Sequence, residues 1–235
     1  MSTRNTSLTQ IHIRQHPGGV RHSTEDWATG EEREGRTACA LCDGMGGMRH
    51  GDRAARAVAD HFLSLCLHDE RSLSAAWPPS PQRVQLELAV VMARLQAELR
   101  ERRVATTFTG LALTGLKGRL YHVGDSRAYL LRAGEACQLS HDHRVSADRP
   151  ELLSQALGAP QHDQLECHEL ELQPGDRLLL CSDGFTQTGM ESADLELLLK
   201  GSQDEGVPDL LVEEALRRGA EDNLSLVWIV PGVAA

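Results

Sequence analysis

The stretch TACALCDGMGG, residues 37–47, is a run of small, mostly apolar side chains that ends in Asp43 and a glycine-rich turn. Such a short apolar run indicates a buried strand, and Asp-Gly is a common turn dipeptide. The pattern returns at residues 178–184, LLLCSDG, where Asp183 begins the turn. Two buried strands that each end near a carboxylate are therefore the first structural expectation.

The spacing of apolar residues elsewhere predicts helices in pairs. One helix is expected over residues 52–68, and a second begins at Pro81 with Ser80 as its N-cap. Two shorter helices are expected over residues 192–200 and 208–218. Each pair has apolar faces that need a partner layer, so we expect the helices to cover sheets.

Strand-like runs surround these helices. They cover residues 107–114, 120–123, 128–131, 166–172, 177–181 and 224–230. A turn at Leu116-Lys117-Gly118 predicts a hairpin within the first three runs, and a Pro-Gly-Asp turn predicts another between 166–172 and 177–181. Hairpin groups separated by helix pairs favour an α+β domain with antiparallel sheets over a doubly wound parallel sheet. Since no composition break marks a boundary, we expect one domain over residues 1–235.

Composition and charge exclude several classes of protein. The 235 residues carry 24 Lys+Arg against 34 Asp+Glu, a formal net charge of −10, which disfavours binding to nucleic acid. No apolar run reaches the length of a membrane span, and the first residues do not resemble a signal peptide. We therefore expect a cytoplasmic protein without membrane contact, whose six cysteines are reduced.

Acidic residues cluster at the expected strand ends. The clusters are Glu25-Asp26, Asp43, Asp183 and Asp222. Each one alone is an ordinary turn or cap residue, but carboxylates gathered from several strand ends are typical ligands of Mg²⁺ or Mn²⁺. Two such charges about 5 Å apart repel by about 3 kcal/mol at an effective dielectric constant near 20. Convergence would therefore require cations or raised pKa values.

Eight short motifs, in order, carry a family resemblance. They are Arg21 with Glu25-Asp26, DGMGG at 43–47, ATTF at 105–108, VGDSRAYLLR at 123–132, SHDHR at 140–144, SQALG at 154–158, SDGF at 182–185 and EDN at 221–223. In order and spacing the chain resembles the metal-dependent protein serine/threonine phosphatases (PPM, type 2C), specifically their bacterial branch. The resemblance extends from Arg21 to the last strand.

The resemblance implies a fold and a set of site residues. The fold would be a four-layer αββα sandwich, two antiparallel sheets flanked by helix pairs, with a shortened flap between residues 143 and 153. Asp43 would bridge two Mn²⁺ or Mg²⁺ ions, and Arg21 would hold the substrate phosphate. The remaining implied ligands are the Gly44 carbonyl, Asp183, Asp222, Glu25 and Asp26 through water, and Asp125 for a third, weaker ion shared with Asp183.

The implied reaction is hydrolysis of phosphoserine and phosphothreonine on proteins by a metal-activated water. Phosphorylated proteins would be the substrates, a cognate Ser/Thr kinase would act in opposition, and the chain would be a monomer. Two alternatives remain: an inactive family member that binds phosphoproteins, and a phosphatase of an anti-sigma-factor antagonist. The complete set of carboxylates counts against the first alternative, and Arg21 counts against the second.

Several other residues have ordinary structural interpretations. Cys39 and Cys42 form a CxxC, but residues three apart on a strand face opposite sides, so we expect buried thiols rather than a metal site. His141 and His143 are expected to pack in a loop. Arg127 is expected to be structural. The chain departs from the usual family residues at three further positions: Thr24, Ala105 and Arg144.

Overall fold

The computed structural model describes residues 8–45, 50–68, 77–146, 149–159 and 164–232. The strands in these residues are β1 (Gln10–His16), β2 (Asp26–Arg33), β3 (Arg36–Asp43), β4 (Phe108–Thr114), β5 (Lys117–Val123), β6 (Arg127–Arg132), β7 (Glu135–Gln138), β8 (Arg144–Ser146), β9 (Arg149–Leu153), β10 (Glu166–Glu171), β11 (Arg177–Cys181) and β12 (Leu224–Val230). The helices are α1 (Gly51–Leu67), α2 (Pro81–Leu99), α3 (Asp183–Thr186), α4 (Ser192–Leu199) and α5 (Val207–Arg217), with a 3₁₀ turn at Asp204–Gly206 before α5.

Two five-stranded antiparallel sheets form the centre of the molecule. The first sheet has the strand order β1-β12-β11-β6-β7, and the second has the order β10-β5-β4-β3-β2. A separate two-stranded ribbon, β8-β9, lies in the segment where the shortened flap was expected. Both the antiparallel pairing and the α+β class agree with the sequence prediction.

Three apolar clusters divide the molecule into four layers. Apolar side chains of both sheets, among them Leu111 and Ile229, fill the space between the sheets. Helices α1 and α2 pack on the outer face of the second sheet around Phe62, which contacts Phe108 edge-on with ring centroids 5.1 Å apart. Helices α4 and α5 cover the outer face of the first sheet around Trp228. The four-layer αββα sandwich is thus confirmed.

The helices begin close to where their sequences predict. Helix α2 begins at Pro81, and the Ser80 side chain accepts a hydrogen bond from the Arg83 backbone N–H, as an N-cap does. The left-handed backbone of Arg100 ends this helix. Helix α1 buries one face, including Val58 and Phe62, because its apolar residues recur at helical spacing.

One predicted hairpin is wrong, and another is displaced. Strand β10 pairs with β5 in the second sheet, whereas β11 pairs with β6 and β12 in the first sheet. The Pro-Gly-Asp turn therefore carries the chain from one sheet to the other instead of closing a hairpin. The β4–β5 hairpin exists, but it turns at residues 115–116, and Lys117 and Gly118 already belong to β5.

The cysteines of the CxxC lie on opposite faces of β3, as strand geometry requires. Cys39 is buried between the sheets, and Cys42 is buried under the helices. Burial raises the pKa of Cys39 to about 12, which leaves its sulfur an inert thiol. In the described residues, no helix combines the length and apolarity needed to cross a bilayer.

Candidate active site

A cleft at one end of the sandwich collects most of the residues predicted from the sequence. It is lined by Arg21, Glu25, Asp43, Asp125, Asp183 and Asp222, together with Gly44. The carboxylates come from different elements: Asp43 ends β3, Asp183 follows β11, and Asp222 precedes β12. Asp125 lies in the turn between β5 and β6. The structure therefore brings together residues that are up to 201 positions apart in the chain.

Two threonines fix the backbone of Asp43. The Thr107 hydroxyl accepts from the Asp43 N–H at 2.9 Å, and the Thr107 N–H donates to the Asp43 carbonyl at 2.9 Å. The Thr106 hydroxyl donates to the same carbonyl at 2.8 Å. The ATTF motif thus holds the Asp43 backbone in place. Glycines 46 and 47 of the DGMGG motif lie outside the described residues.

Gly44 lies where no side chain fits. A Cβ built on Gly44 would lie 2.3 Å from the backbone carbon of Gly51, the first residue of α1, and 2.8 Å from the Glu25 carbonyl oxygen. The Gly44 N–H donates to that Glu25 carbonyl at 3.2 Å. Absence of a side chain therefore lets three segments meet directly beside Asp43.

Asn223 connects the Arg21–Glu25 loop to the last strand, a role that the sequence analysis did not assign. Its side-chain oxygen accepts from the Glu25 N–H at 2.8 Å. Its amide nitrogen donates to the carbonyls of Pro17 and Ser23, each at 3.1 Å. The available signal was the position of Asn223 in the EDN motif, beside Asp222.

Asp26 begins β2 rather than ending a strand, and it lies directly across the ladder from Asp43. Asp26 is 3% exposed, and no hydrogen bond of ordinary geometry reaches either carboxylate oxygen from the described residues, although Ser182 and Ser225 act to lower its pKa. Burial raises the pKa of Asp26 to about 6. A buried carboxylate without partners is a site that a proton, an ordered water or a cation would satisfy.

Other carboxyl groups of the cleft are also buried, and their pKa values are raised. Burial, followed by the charges of Asp26 and Asp183, raises the pKa of Asp43 well above its usual value. Burial also raises the pKa values of Asp183 and Glu25. Burial and neighbouring negative charges both disfavour the ionised form of these carboxyl groups. Bound Mg²⁺ or Mn²⁺ ions, which take carboxylate oxygens as ligands, would relieve both effects.

Asp125 differs from this group because an arginine lies against it. Its side chain is 5% exposed, and the Nε of Arg144 contacts its Oδ2 at 3.2 Å. Burial and the Asp183 charge raise the pKa of Asp125 to about 7, although Arg144 acts to lower it. Arg144 follows His143 at the end of the SHDHR motif and begins β8.

Arg21 is the exposed cation at the rim of the cleft. Its guanidinium contacts both oxygens of Asp222, with Nε–Oδ1 at 3.2 Å and Nη2–Oδ2 at 3.3 Å. The arginine side chain is 48% exposed, so its fork is accessible from the solvent. A guanidinium of this kind binds two oxygens of a phosphate or a carboxylate with parallel hydrogen bonds.

Arg127 has a structural role, as expected. It donates to both oxygens of Asp142, at 2.9 and 2.8 Å, and to the hydroxyl of Tyr129 at 3.1 Å. The side chain is 12% exposed and contacts no carboxylate of the cleft. His141 and His143 lie in the loop after β7, where both contact Glu166.

Comparisons with known proteins agree on one family. The chain matches the family model described as Protein phosphatase 2C over residues 22–213. The serine/threonine protein phosphatase PstP of Mycobacterium tuberculosis is 30% identical over 237 residues, covering 94% of this chain and 45% of that protein. The chain thus spans about half the length of this relative.

Solved structures show the same likeness. PppA, a key regulatory component of T6SS in Pseudomonas aeruginosa, superposes with a TM-score of 0.83 at 29% identity, covering 96% of this chain and 99% of that one. The catalytic domain of PstP, solved in complex with two manganese ions, superposes with a TM-score of 0.79 at 27% identity, covering 96% and 99%. Motifs, architecture and family model all point the same way, and the chain belongs to the protein phosphatase 2C family.

Proposed function

We propose that this chain is a metal-dependent protein serine/threonine phosphatase that hydrolyses phosphoserine and phosphothreonine on protein substrates. The observation that carries the proposal is the group of carboxylates in one cleft, with an accessible arginine at the rim and with the pKa of Asp43 raised well above its usual value. Membership of the protein phosphatase 2C family supports the same reaction.

We propose that the carboxylates hold two Mn²⁺ or Mg²⁺ ions. Asp43 would bridge them, with the Gly44 carbonyl, Asp183 and Asp222 as further ligands and with Glu25 and Asp26 acting through water. Two such ions supply a hydroxide at neutral pH and neutralise charge on the phosphate oxygens. The unpartnered oxygens of Asp26 and the raised pKa of Asp43 favour this assignment.

The chain's own residues prepare the site for a phosphate ester. Thr106 and Thr107 hold the Asp43 backbone, and Asn223 holds the loop that carries Arg21 and Glu25. Arg21 would exchange its contact with Asp222 for the oxygens of the substrate phosphate and so orient the ester. A fixed frame for both the carboxylates and the phosphate-binding cation keeps the reacting groups aligned.

We infer that Asp125 does not hold a third ion in this chain. Its Oδ2 contacts the Arg144 guanidinium, whose permanent positive charge would repel a nearby cation. We therefore assign two ions to the site, and we assign Arg144 as the partner of Asp125.

We further propose that the chain forms one phosphatase domain over residues 1–235 and acts as a monomer in the cytoplasm. Its substrates would be phosphorylated proteins, opposed by a cognate Ser/Thr kinase. The relative PstP, named as a serine/threonine protein phosphatase, supports the substrate class. Retention of every carboxylate favours an active enzyme over a binding module, and Arg21 disfavours the anti-sigma-antagonist alternative.

Chelation should abolish turnover if the carboxylates hold the ions. Hydrolysis of p-nitrophenyl phosphate and of a phosphothreonine peptide should require Mn²⁺ or Mg²⁺ and stop with EDTA. Asp43→Asn should reduce kcat at least about a hundredfold, since even a residue that only orients a ligand costs about 10- to 100-fold. Asp209→Asn, which changes an exposed partner of Arg14, is the matched control and should keep full activity. Equal rates with and without chelator would contradict the metal mechanism.

Arg21→Ala should weaken substrate binding more than it slows chemistry. Loss of a charged hydrogen-bond donor costs about 1.5–3 kcal/mol, so we expect KM to rise by about tenfold or more. Steady-state kinetics should show partial recovery with Arg21→Lys, which restores the charge without the fork. The control is Arg14→Ala, another exposed arginine paired with an aspartate. An unchanged KM in Arg21→Ala would refute the phosphate-binding role.

The number of bound ions tests the role of Arg144. Calorimetric titration with Mn²⁺ should find two ions on the unmodified chain and a third, weaker ion on Arg144→Ser, because that change frees the Asp125 carboxylate. Adding Asp125→Asn to Arg144→Ser should return the count to two. Three ions on the unmodified chain, or two on Arg144→Ser, would contradict the assignment.

Stability without metal should depend on pH through Asp26. The pKa of Asp26 is about 6 in the folded protein against an ordinary value of 3.8, so the folded state binds more protons between these values. Relative to Asp26→Asn, the unmodified chain in EDTA should therefore lose stability as the pH rises from about 4 to about 7, and then level off. Urea unfolding across this range measures the difference. If the unmodified chain instead gained stability relative to Asp26→Asn as the pH rises, Asp26 would be stabilised as a carboxylate in the folded protein.

A further inference from the structure

Three histidines surround one carboxylate at an edge of the second sheet, away from the phosphatase centre. We name the group His141, His143, His168 and Glu166 the His–Glu cluster. Glu166 and His168 are two residues apart on β10, so they lie on the same face of the strand. The His168 side chain is 35% exposed, so solvent reaches this part of the face. His141 and His143 reach it from the loop after β7.

The distances within the cluster are short. The Nδ1 of His141 lies 2.8 Å from Glu166 Oε1, and the Nε2 of His168 lies 2.6 Å from the same oxygen. The Nε2 of His143 lies 3.7 Å from Glu166 Oε2. Burial acts to raise the pKa of Glu166, but hydrogen bonds from His141 and His168 lower it overall, so Glu166 is a carboxylate at neutral pH. One partly exposed carboxylate thus lies close to three imidazoles.

His143 and the neighbouring His122 each use a ring nitrogen in hydrogen bonds with the backbone. The His122 Nε2 faces the carbonyls of Gly124 and His141 at 3.1 and 2.9 Å, and its Nδ1 contacts Thr109 Oγ1 at 3.0 Å. The His143 Nδ1 accepts from the Gly124 N–H at 3.1 Å, so its proton is on Nε2, toward Glu166. These two rings act as supports and have no lone pair free for a ligand.

His141 and His168 are different. Within the described part of the chain, Glu166 is the only hydrogen-bond partner of either ring. Their side chains are 80% and 35% exposed, so each ring can move its proton to the other nitrogen and present a lone pair toward Glu166. One ligand atom from each of His141, Glu166 and His168 lies within 4.8 Å of the other two. Ligands of one tetrahedral zinc ion are about 3.3 Å apart, which needs only small side-chain movements.

We propose that His141 Nδ1, Glu166 and His168 Nε2 form a binding site for a divalent transition-metal ion, with Zn²⁺ as the best match and water as the fourth ligand. Two imidazoles and one carboxylate are a ligand set that zinc uses at sites with an open position. Mn²⁺ and Mg²⁺ prefer oxygen ligands, so the carboxylate cleft and the His–Glu cluster select different ions. The proposal does not depend on the proposed phosphatase activity.

Metal at this site would join the loop after β7 to the edge strand β10. The same loop carries Asp142, which accepts from Arg127, and leads into Arg144, which contacts Asp125. An ion bound by His141 and His168 would therefore fix the segment that positions Arg144 at the cleft. Metal binding at the His–Glu cluster would therefore influence how firmly Arg144 is held at the cleft.

Cobalt spectroscopy separates the two kinds of site. Co²⁺ in a tetrahedral site with imidazole ligands gives intense visible bands, whereas an octahedral oxygen site gives weak ones, since coordination geometry is diagnostic of the ligand set. The full chain, freed of metal and then saturated with Mn²⁺ at the cleft, should develop intense bands with about one equivalent of Co²⁺. Zn²⁺ should displace Co²⁺ and remove the bands, and it should raise the melting temperature by an amount that grows with the logarithm of its concentration over Kd.

His168→Gln and Glu166→Gln should each weaken Co²⁺ and Zn²⁺ binding by at least about tenfold, since even loss of a residue that only orients a metal ligand costs about 10- to 100-fold. His61→Gln is the matched control, because His61 pairs with a single carboxylate, Glu87, at 3.2 Å and should leave binding unchanged. His168→Gln should keep its Mn²⁺-dependent turnover and its far-ultraviolet circular dichroism, which shows that the variant folds. Absence of intense bands in the unmodified chain, or bands that persist unchanged in His168→Gln, would overturn the proposal. The visible bands of Co²⁺ and the rise in melting temperature with Zn²⁺ can both be measured even if the chain has no phosphatase activity.

Discussion

Repulsion among carboxylates at one end of the sandwich is the constraint on which the site depends. Asp26 and Asp43 lie opposite each other on paired strands, and Asp183 directly follows β11, so the apolar packing of the two sheets fixes the backbone that carries all three. Among the described residues, two arginines form ion pairs with other carboxylates of the cleft, Arg21 with Asp222 and Arg144 with Asp125. Apolar packing in the core therefore offsets the repulsion between the carboxylates, and bound cations would stabilise the folded protein further.

Much of this could be predicted because the decisive signals are local. An apolar run that ends in Asp-Gly specifies where β3 ends and where Asp43 lies, and Ser80 before Pro81 specifies where α2 begins. The alternation of strand faces correctly places Cys39 and Cys42 on opposite sides. The prediction that the carboxylates meet in one cleft rested on the order of the motifs along the chain, since no single motif shows which strand ends are neighbours.

The missed features depend on contacts between distant segments. Turn chemistry at the Pro-Gly-Asp turn describes the local backbone but not the sheet that receives the next strand, so the predicted hairpin failed. The Arg144–Asp125 pair joins residues 19 apart, and His141–Glu166 joins residues 25 apart, in both cases across different elements. Asn223 was visible in a motif, but its function lies in three hydrogen bonds to a loop about 200 residues earlier.

Strand β12 pairs along its whole length with β1, from Gln10 opposite Val230 to His16 opposite Leu224, and it also separates β1 from β11. During translation β1 emerges well before β12, its hydrogen-bonding partner, which leaves the ribosome more than two hundred residues later. A nascent chain lacking that partner has neither Asp222 nor Asn223 in place. The carboxylate cleft therefore cannot be complete until β12 has been synthesised and has paired with β1.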